Sequence, residues 1–175
     1  MRRLIAISLV ILMVLVIGAT PVLAAGKSAP AGKSKIGHLY LYAKDPATWE
    51  IVPGGAWGKL KYNTSGPVFQ YVFNGKKLMK NTEYSLVYYR DYVPEVWPHP
   101  VTIIAQGKSN AGGNIHLGGK VDLGKDLPEP GDVNAGAKIW LVPTYHITDG
   151  LIVPWLPTEI LFEKTLITYD DTDAP

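Results

Sequence analysis

The chain has 175 residues, enough for one domain with a proper hydrophobic core and short for two. Its 18 glycines and 14 prolines suggest many turns, while 47% hydrophobic and 10% aromatic content argue against disorder. The formal charge of +2 comes from Arg2 and Arg3: 17 basic residues minus these two leaves 15, equal to the 15 acidic residues. This balance gives no support to a nucleic-acid partner. The absence of cysteine excludes disulfides, cysteine-ligated metals and thiol nucleophiles.

Residues 1–25 have the pattern of a secretory signal peptide. Two arginines precede an unbroken apolar run from Leu4 to Ile17, and Val22 and Ala24 form a small-residue cleavage site. An uncleaved anchor is the alternative, because the apolar stretch extended to Ala25 is long enough to span a bilayer. Both interpretations place the rest of the chain outside the cytoplasm, so we expect a secreted or cell-surface protein. We expect no membrane contact beyond this segment.

Residues 26–35 have the sequence GKSAPAGKSK, whose composition predicts a flexible and solvated tether. Residues 36–171 are expected to form one β-rich domain, with an acidic C-terminal tail at residues 172–175. The carboxylates at this end of the chain are expected to be exposed. They are Asp170, Asp171 and Asp173.

The clearest strand pattern lies in Pro67 to Tyr89. Large apolar side chains occupy alternate positions in its two halves, as in a pleated strand packed on one face. These side chains, expected in the core, are Phe69, Tyr71, Phe73, Tyr84, Leu86 and Tyr88. Asn74-Gly75 is a turn signal between the halves, so the stretch predicts a β-hairpin.

Six further segments have the length and apolar pattern of strands. They are Ile36–Tyr42, Trp57–Tyr62, Val101–Gln106, Asn110–Leu123, Ala137–Val142 and Ile160–Tyr169. Gly118-Gly119 predicts a bulge or bend within its segment. No stretch after residue 25 has a sustained helical period with caps. The chain therefore predicts an all-β fold, an antiparallel β-sandwich of about eight strands with immunoglobulin-like or jelly-roll-like topology.

Two tryptophans, Trp97 and Trp155, lie in proline-rich connections, where side chains need not fill the core. Tyr89 and Tyr92 add further rings close to Trp97. Exposed rings on the loops of a β-domain can stack on sugar faces or anchor a protein partner. These four residues are the candidate binding residues. The alternative is that the rings plug the open ends of the sandwich.

The other three tryptophans, Trp49, Trp57 and Trp140, are expected in the core. Trp140 lies in the most apolar predicted strand. Its indole N–H would then need a buried hydrogen-bond acceptor.

None of the four histidines shows a compact metal-ligand spacing. They are His38, His99, His116 and His146. His38 and His116 each lie on the face of a strand opposite its leucines, so adjacent strands could bring them together. This pair is the candidate metal site. The alternative is that the histidines are exposed strand residues or hydrogen-bonded members of the core.

Motifs of catalysis are missing from the sequence: it has no GxSxG elbow, HExxH, phosphate loop or dinucleotide fingerprint. Glu159 and Glu163 would lie roughly 13 Å apart on a strand. This is too far for a glycosidase pair unless another strand contributes Asp91 or Glu95. We therefore expect a protein that is not an enzyme and needs no cofactor.

Asn63-Thr64-Ser65 is an N-glycosylation sequon in a predicted surface turn, so Asn63 is a glycosylation candidate. Such triplets are also frequent by chance. The attachment of a glycan depends on the exporting cell.

Several blocks are similar to a known group of proteins. They are WEIVPGGAWGKLKYNTSGPVFQYVFNG, LMKNTEYSLVYYRD, GNIHLGG, GAKIWLV and WLPTEILFEKTLITYDD. These blocks resemble uncharacterised small secreted β-rich proteins of methane-cycling archaea, over most of Gly37 to Asp171. The resemblance implies an exported β-rich domain and an archaeal source. It implies no activity and no site, because that group has no established function.

The sequence as a whole favours a non-enzymatic secreted or cell-surface module that binds envelope protein or glycan through loop aromatics, or serves a structural role in the envelope. The alternative is a metal-binding or hydrolytic extracellular protein that uses histidines and carboxylates. The oligomeric state stays open.

Overall fold

The computed structural model describes residues 35–91 and 98–174. These residues form twelve β-strands and two short 3₁₀ helices. The strands are β1 (Ile36–Ala43), β2 (Trp57–Asn63), β3 (Ser65–Gly66), β4 (Phe69–Lys76), β5 (Glu83–Tyr89), β6 (Val101–Lys108), β7 (Ile115–Val121), β8 (Lys138–Pro143), β9 (Ile147–Thr148), β10 (Leu151–Ile152), β11 (Leu161–Glu163) and β12 (Asp170–Asp171). The 3₁₀ helices are Thr144–His146 and Pro157–Glu159. The two 3₁₀ helices, with three residues each, are too short to span a membrane. The predicted signal peptide and nearly all of the tether lie outside the described residues.

Eight of the strands form one antiparallel sheet in the order β6-β5-β8-β11-β1-β2-β4-β7. The sheet curls until its edge strands β6 and β7 touch. The contact is close, since a Cβ atom on Gly107 of β6 would lie 2.6 Å from Leu117 Cδ2 of β7. The prediction of an all-β chain is confirmed. A two-sheet sandwich of immunoglobulin-like or jelly-roll-like topology is not confirmed, because all eight main strands belong to a single, nearly closed sheet.

The inner face of this sheet carries the main hydrophobic core, as the period-two alternation predicts. Its fully buried members are Leu39, Leu41, Leu60, Phe69, Phe73, Leu86, Ile139 and Leu141. Each such side chain contributes about 1.5–3 kcal/mol when it leaves water. Tyr84 and Tyr88 are buried in the same core and Tyr71 packs against it, which confirms the aromatic positions predicted from the sequence.

A second hydrophobic cluster lies on the opposite face of β5 and β8, since its members alternate with those of the main core. Tyr89 and Trp140 belong to it, together with Phe162 of β11. Ile152 and Ile160, from the segment that follows β8, pack against these rings. This arrangement buries aromatic side chains on the outer face of the sheet, opposite the main core.

The predicted hairpin from β4 to β5 is wrong. β4 pairs with β2 and β7, whereas β5 pairs with β6 and β8. Asn74 and Gly75 continue β4 instead of turning. Gly75 serves close packing, because a Cβ atom there would lie 2.9 Å from Ile115 Cγ2. The chain reverses later, where Lys77 and Asn81 adopt left-handed backbone angles with φ of 59° and 52°.

The predicted bulge at Gly118-Gly119 is also wrong. Both glycines stay in regular register, opposite Val72 and Tyr71 of β4. Gly119 makes room for the Tyr71 ring, since a Cβ atom would approach its hydroxyl oxygen to 3.0 Å. A register shift lies instead between β5 and β6, where Leu86 pairs with Ala105 and Val87 pairs with Ile103, so that Ile104 of β6 is the extra residue.

The last predicted strand, Ile160–Tyr169, breaks after Glu163. β11 ends there, and Ile167 and Tyr169 form single bridges with Ala137 and Leu127. After Glu163 the chain thus no longer pairs with β1 and bridges instead to the segment that precedes β8. Asp171 lies in β12, where it pairs with Gly66 of β3, and it is only 5% exposed. The expectation that this carboxylate is exposed is therefore wrong.

Candidate functional site

A pocket of about 570 Å³ lies beside the second hydrophobic cluster and is rich in aromatic side chains. Its five rings come from five separate segments of the chain. They are Trp49, Tyr89, Trp140, Trp155 and Phe162. A concave site of this volume that is lined by rings and a few polar groups has the usual features of a small-ligand site.

Three buried rings form the floor of this aromatic pocket. Tyr89 stacks on Trp140 with ring centroids 3.9 Å apart and an interplanar angle of 17°. Phe162 meets Trp140 edge-on at 5.1 Å and 75°. All three residues are held by neighbouring strands of the sheet, so the floor is rigid and its shape is fixed by strand register.

Two exposed indoles form the rim of the pocket. Trp49 is 50% exposed and Trp155 is 38% exposed, and their ring centroids lie 6.5 Å apart. Trp49 sits in the loop after β1 with φ of 60°, a left-handed angle that directs its side chain back over Phe162 at 5.3 Å. Trp155 reaches the same Phe162 ring at 6.0 Å. The rim therefore leaves part of each indole side chain accessible to solvent.

A carboxylate completes the inner wall of the pocket. Glu163 at the end of β11 accepts a hydrogen bond from the indole N–H of Trp140. Burial raises the pKa of Glu163 above its ordinary value, although this hydrogen bond and the positive charges of Lys44 and Lys138 act in the opposite direction. The carboxylate is thus held in place and partly stripped of water.

Asp91 provides a second carboxylate, after the end of β5. It forms an ion pair with Lys138 and accepts a hydrogen bond of 2.8 Å from Asn134 Nδ2. Burial alone would raise the pKa of Asp91, but the hydrogen bonds from Asn134 and Lys138 and the charge of Lys138 outweigh it, so the pKa is lowered. Lys138 Nζ also lies 5.8 Å from the centroid of the Tyr89 ring.

The charges that line the pocket are balanced. Lys44 and Lys138 supply two positive charges, and Asp91 and Glu163 supply two negative ones. A ligand with a net charge would face both signs at short range. The lining therefore suits a neutral ligand with an apolar face and several hydrogen-bonding groups.

Two of the four predicted binding residues, Tyr89 and Trp155, line this pocket together. Tyr92 and Trp97 fall in residues 92–97, which lie outside the described residues. Trp49, expected in the core, stands at the exposed rim, so that expectation is wrong. Its position depends on the fold of a loop without any periodic pattern, which no signal in the sequence reveals.

The outcome for the other two tryptophans is mixed. Trp140 is buried and its N–H has an acceptor in Glu163, as expected. Trp57 is only half-buried, and Lys76 Nζ lies 5.8 Å from its ring centroid, so it is not a core residue.

The candidate metal pair is not brought together. His38 lies on β1 and His116 on β7, with β2 and β4 between them. Three strand spacings separate them by about 14 Å. His116 Nδ1 lies 2.8 Å from Asn74 Oδ1. Within residues 35–91 and 98–174, no group of three or more His, Asp or Glu side chains is arranged to hold a metal ion.

Asn63, the glycosylation candidate, uses its side-chain amide inside the protein. Its Nδ2 donates to the carbonyl oxygens of Ser65 and Val68, both at 2.9 Å. Its Oδ1 accepts from the backbone N–H of Gln70 at 2.6 Å. The atom that would carry a glycan is therefore occupied in holding the chain between β2 and β4.

No protein-family model, curated protein or solved structure matches this chain.

Proposed function

We propose that the protein is a non-enzymatic secreted or cell-surface module, on an all-β scaffold, that binds a neutral sugar unit of an envelope glycan in the aromatic pocket. The observation that carries the proposal is the pair of exposed indoles, Trp49 and Trp155, above a floor of buried rings. Aromatic rings attract the apolar face of a sugar, and the polar groups beside them can bond its hydroxyls.

The shape of the site favours a glycan over a protein partner. Stable protein interfaces bury about 800 Å² on each side and are usually broad. The aromatic pocket is instead a concavity of about 570 Å³, within the range of sites for small ligands. One sugar residue, or the end of a chain, fits such a site better than a folded domain.

The polar groups of the pocket favour a neutral sugar. Glu163 and Asp91 can accept hydrogen bonds from hydroxyl groups, and Lys44 and Lys138 can donate. Because the four charges balance, a ligand that carries neither sign avoids repulsion from either pair. Both carboxylates are already oriented by partners, which lowers the entropy lost on binding.

A glycan array followed by titration calorimetry of the best ligand tests the proposal. Trp49→Ala and Trp155→Ala are each expected to weaken binding about tenfold, since each removes one stacking ring. Trp57→Ala is the matched control, because its indole is half-buried outside the pocket. The proposal fails if the three variants bind alike, or if no neutral glycan binds.

Glycoside hydrolysis is the second candidate function, and one observation favours it. Asp91 and Glu163 line the same pocket, and their pKa values are displaced in opposite directions. Such a pair of carboxylates is what acid–base cleavage of a glycosidic bond needs. Protonated Glu163 would donate its proton to the glycosidic oxygen, and ionised Asp91 would act as the nucleophile or base.

Glu163→Gln separates the two candidates. Glutamine keeps an oxygen acceptor for Trp140 but cannot donate a catalytic proton. If the protein is a hydrolase, this variant retains binding and loses turnover of the array ligand, measured as released reducing ends. If the protein only binds, neither wild type nor variant releases any.

A further inference from the structure

The outward side of four adjacent strands, β1, β2, β4 and β7, carries basic and aromatic side chains and no carboxylate. We call it the basic face. Its basic side chains are Lys59, Lys61, Lys76, Lys120, His38 and His116. None of the residues in these four strands is Asp, Glu or Arg. Because the chain after its two N-terminal arginines is neutral overall, this positive charge is segregated on one surface.

The register of the sheet brings these groups into cross-strand rows. One row reads Tyr40, Lys59, Asn74 and His116, and the next reads His38, Lys61, Val72 and Gly118. Lys76 lies in the row before them and Lys120 in the row after. Four strands and four rows cover about 15 Å by 20 Å. All six basic groups therefore fall within an area that one short polymer can span.

The lysines of the basic face are not neutralised by carboxylates. None of the ion pairs formed within residues 35–91 and 98–174 involves Lys59, Lys61, Lys76 or Lys120. Lys59 and Lys76 lie over aromatic rings instead, 5.4 Å from the centroid of Tyr40 and 5.8 Å from that of Trp57. These contacts position the ammonium groups without cancelling their charge.

An open groove of about 540 Å³ crosses this face over β2, β4 and β7. Lys61, Gln70 and His116 line it, and Val72 forms part of its floor. Gly118 of β7 lines the groove with its backbone alone, because glycine has no side chain. The groove is therefore open on the β7 side. A polymer chain lying in the groove would have hydrogen-bonding groups and positive charge along its length.

We propose that the basic face binds an acidic polysaccharide, a chain of sugars that carry carboxylate groups. Charge complementarity supplies the attraction, and the groove gives the sugar rings a place to lie. Lysine acts as a point charge for single carboxylates, whereas phosphate and nucleic-acid recognition favours the planar fork of arginine, which this face lacks. Tyr40 and Trp57 already have lysines over their rings, so they are poorly placed to stack on nucleic-acid bases.

This binding site is independent of the aromatic pocket. The pocket rings come from β5, β8, β11 and the loops that follow β1 and β10, whereas the groove is built on β2, β4 and β7. Failure of one proposal therefore leaves the other in place.

Calorimetry of the full chain at low and moderate salt tests the proposal. The ligands are polygalacturonate, neutral dextran and duplex DNA. We expect polygalacturonate to bind, dextran not to bind at the groove, and affinity to fall as salt rises. Lys59→Gln/Lys61→Gln is expected to weaken polygalacturonate binding about fivefold or more. Lys80→Gln/Lys108→Gln is the matched control, with the same change in net charge at exposed sites outside the face, and should stay within about twofold.

Three results would each overturn the proposal. The first is the absence of polygalacturonate binding at low salt. The second is an equal loss of affinity in the two double variants, which would mean that only net charge matters. The third is tighter binding to duplex DNA, which would assign the face to nucleic acid.

Discussion

The indole N–H of Trp140 on β8 donates a hydrogen bond to the carboxylate of Glu163 on β11. This contact joins the aromatic floor of the pocket to its most desolvated charge. A buried indole needs an acceptor, and a buried carboxylate needs donors or positive charges. The two residues meet these needs for each other, with Lys44 and Lys138 adding positive charge near the carboxylate.

Glu163→Gln is expected to make folding stability less sensitive to pH. Burial raises the pKa of Glu163 in the folded state above its unfolded value, so the folded protein binds this proton more tightly. Stability from this group is therefore present below the unfolded pKa and is lost as pH rises through the folded pKa. Urea unfolding between about pH 4 and about pH 7 measures the effect, and the variant should show a smaller decline. Parallel pH profiles for variant and wild type would contradict it.

Glu163→Ala is the companion variant, because it removes both the charge and the acceptor. Leaving the buried indole N–H of Trp140 without a partner costs about 1–3 kcal/mol in the free energy of unfolding. Alanine should therefore be clearly less stable than glutamine at the same position and pH. Equal stability of the two variants would mean that the hydrogen bond contributes nothing.

Glu159→Gln is expected to lower the pKa of Tyr145. The Tyr145 hydroxyl donates to Glu159 Oε2 at 2.5 Å, and this bond to a carboxylate is the largest of the effects that raise the pKa of Tyr145 to about 12. The neutral amide removes the negative charge, so the pKa should fall towards the ordinary value of 10.0. NMR titration of the tyrosine Cζ resonances measures it. Glu83→Gln, at an exposed site on β5, should leave the pKa unchanged.

Gly58→Ala and Gly118→Ala are expected to have opposite effects on stability. A Cβ atom on Gly58 would lie 2.2 Å from Phe73 Cζ, so alanine must push a fully buried ring and costs about 1–3 kcal/mol. A Cβ atom on Gly118 would find its nearest neighbour, His116 Nε2, at 3.4 Å. Alanine there reduces the conformational freedom of the unfolded chain and raises the free energy of unfolding by up to about 1 kcal/mol. Urea unfolding of both variants at one pH decides, and a similar loss in each would refute the packing argument.

The strands and the core could be predicted from the sequence, but the order of the strands could not. A period of two shows which side chains share a face, and it placed Phe69, Phe73 and Leu86 in the core as the structure does. It does not show which strand lies alongside, so the prediction that β4 and β5, neighbours in sequence, pair with each other is wrong. Neighbours in this sheet are set by how the whole sheet curls, which no local pattern reports.

The pocket was predictable only in part for the same reason. Tyr89 and Trp155 could be singled out as rings near prolines and chain turns. Glu163 could not be identified as the acceptor for Trp140, because β8 and β11 are joined by a long irregular segment. The basic face likewise depends on β7 pairing with β4, which places His116 and Lys120 on the same face of the sheet as Lys59 and Lys61.

Asn63 is expected to act as a structural residue and to remain unglycosylated in the folded protein. Asn63→Ala removes two donated hydrogen bonds and one accepted one, which costs about 2–3 kcal/mol in the free energy of unfolding. Ser65→Ala destroys the same sequon but leaves the Ser65 carbonyl in place, so it should stay within about 0.5 kcal/mol of wild type. Urea unfolding compares the variants, and intact-mass spectrometry of the protein produced in a cell with N-glycosylation machinery checks for a glycan. A glycan at Asn63 in a stable protein would require the amide to leave these three backbone partners, and would therefore contradict the structural role of this side chain.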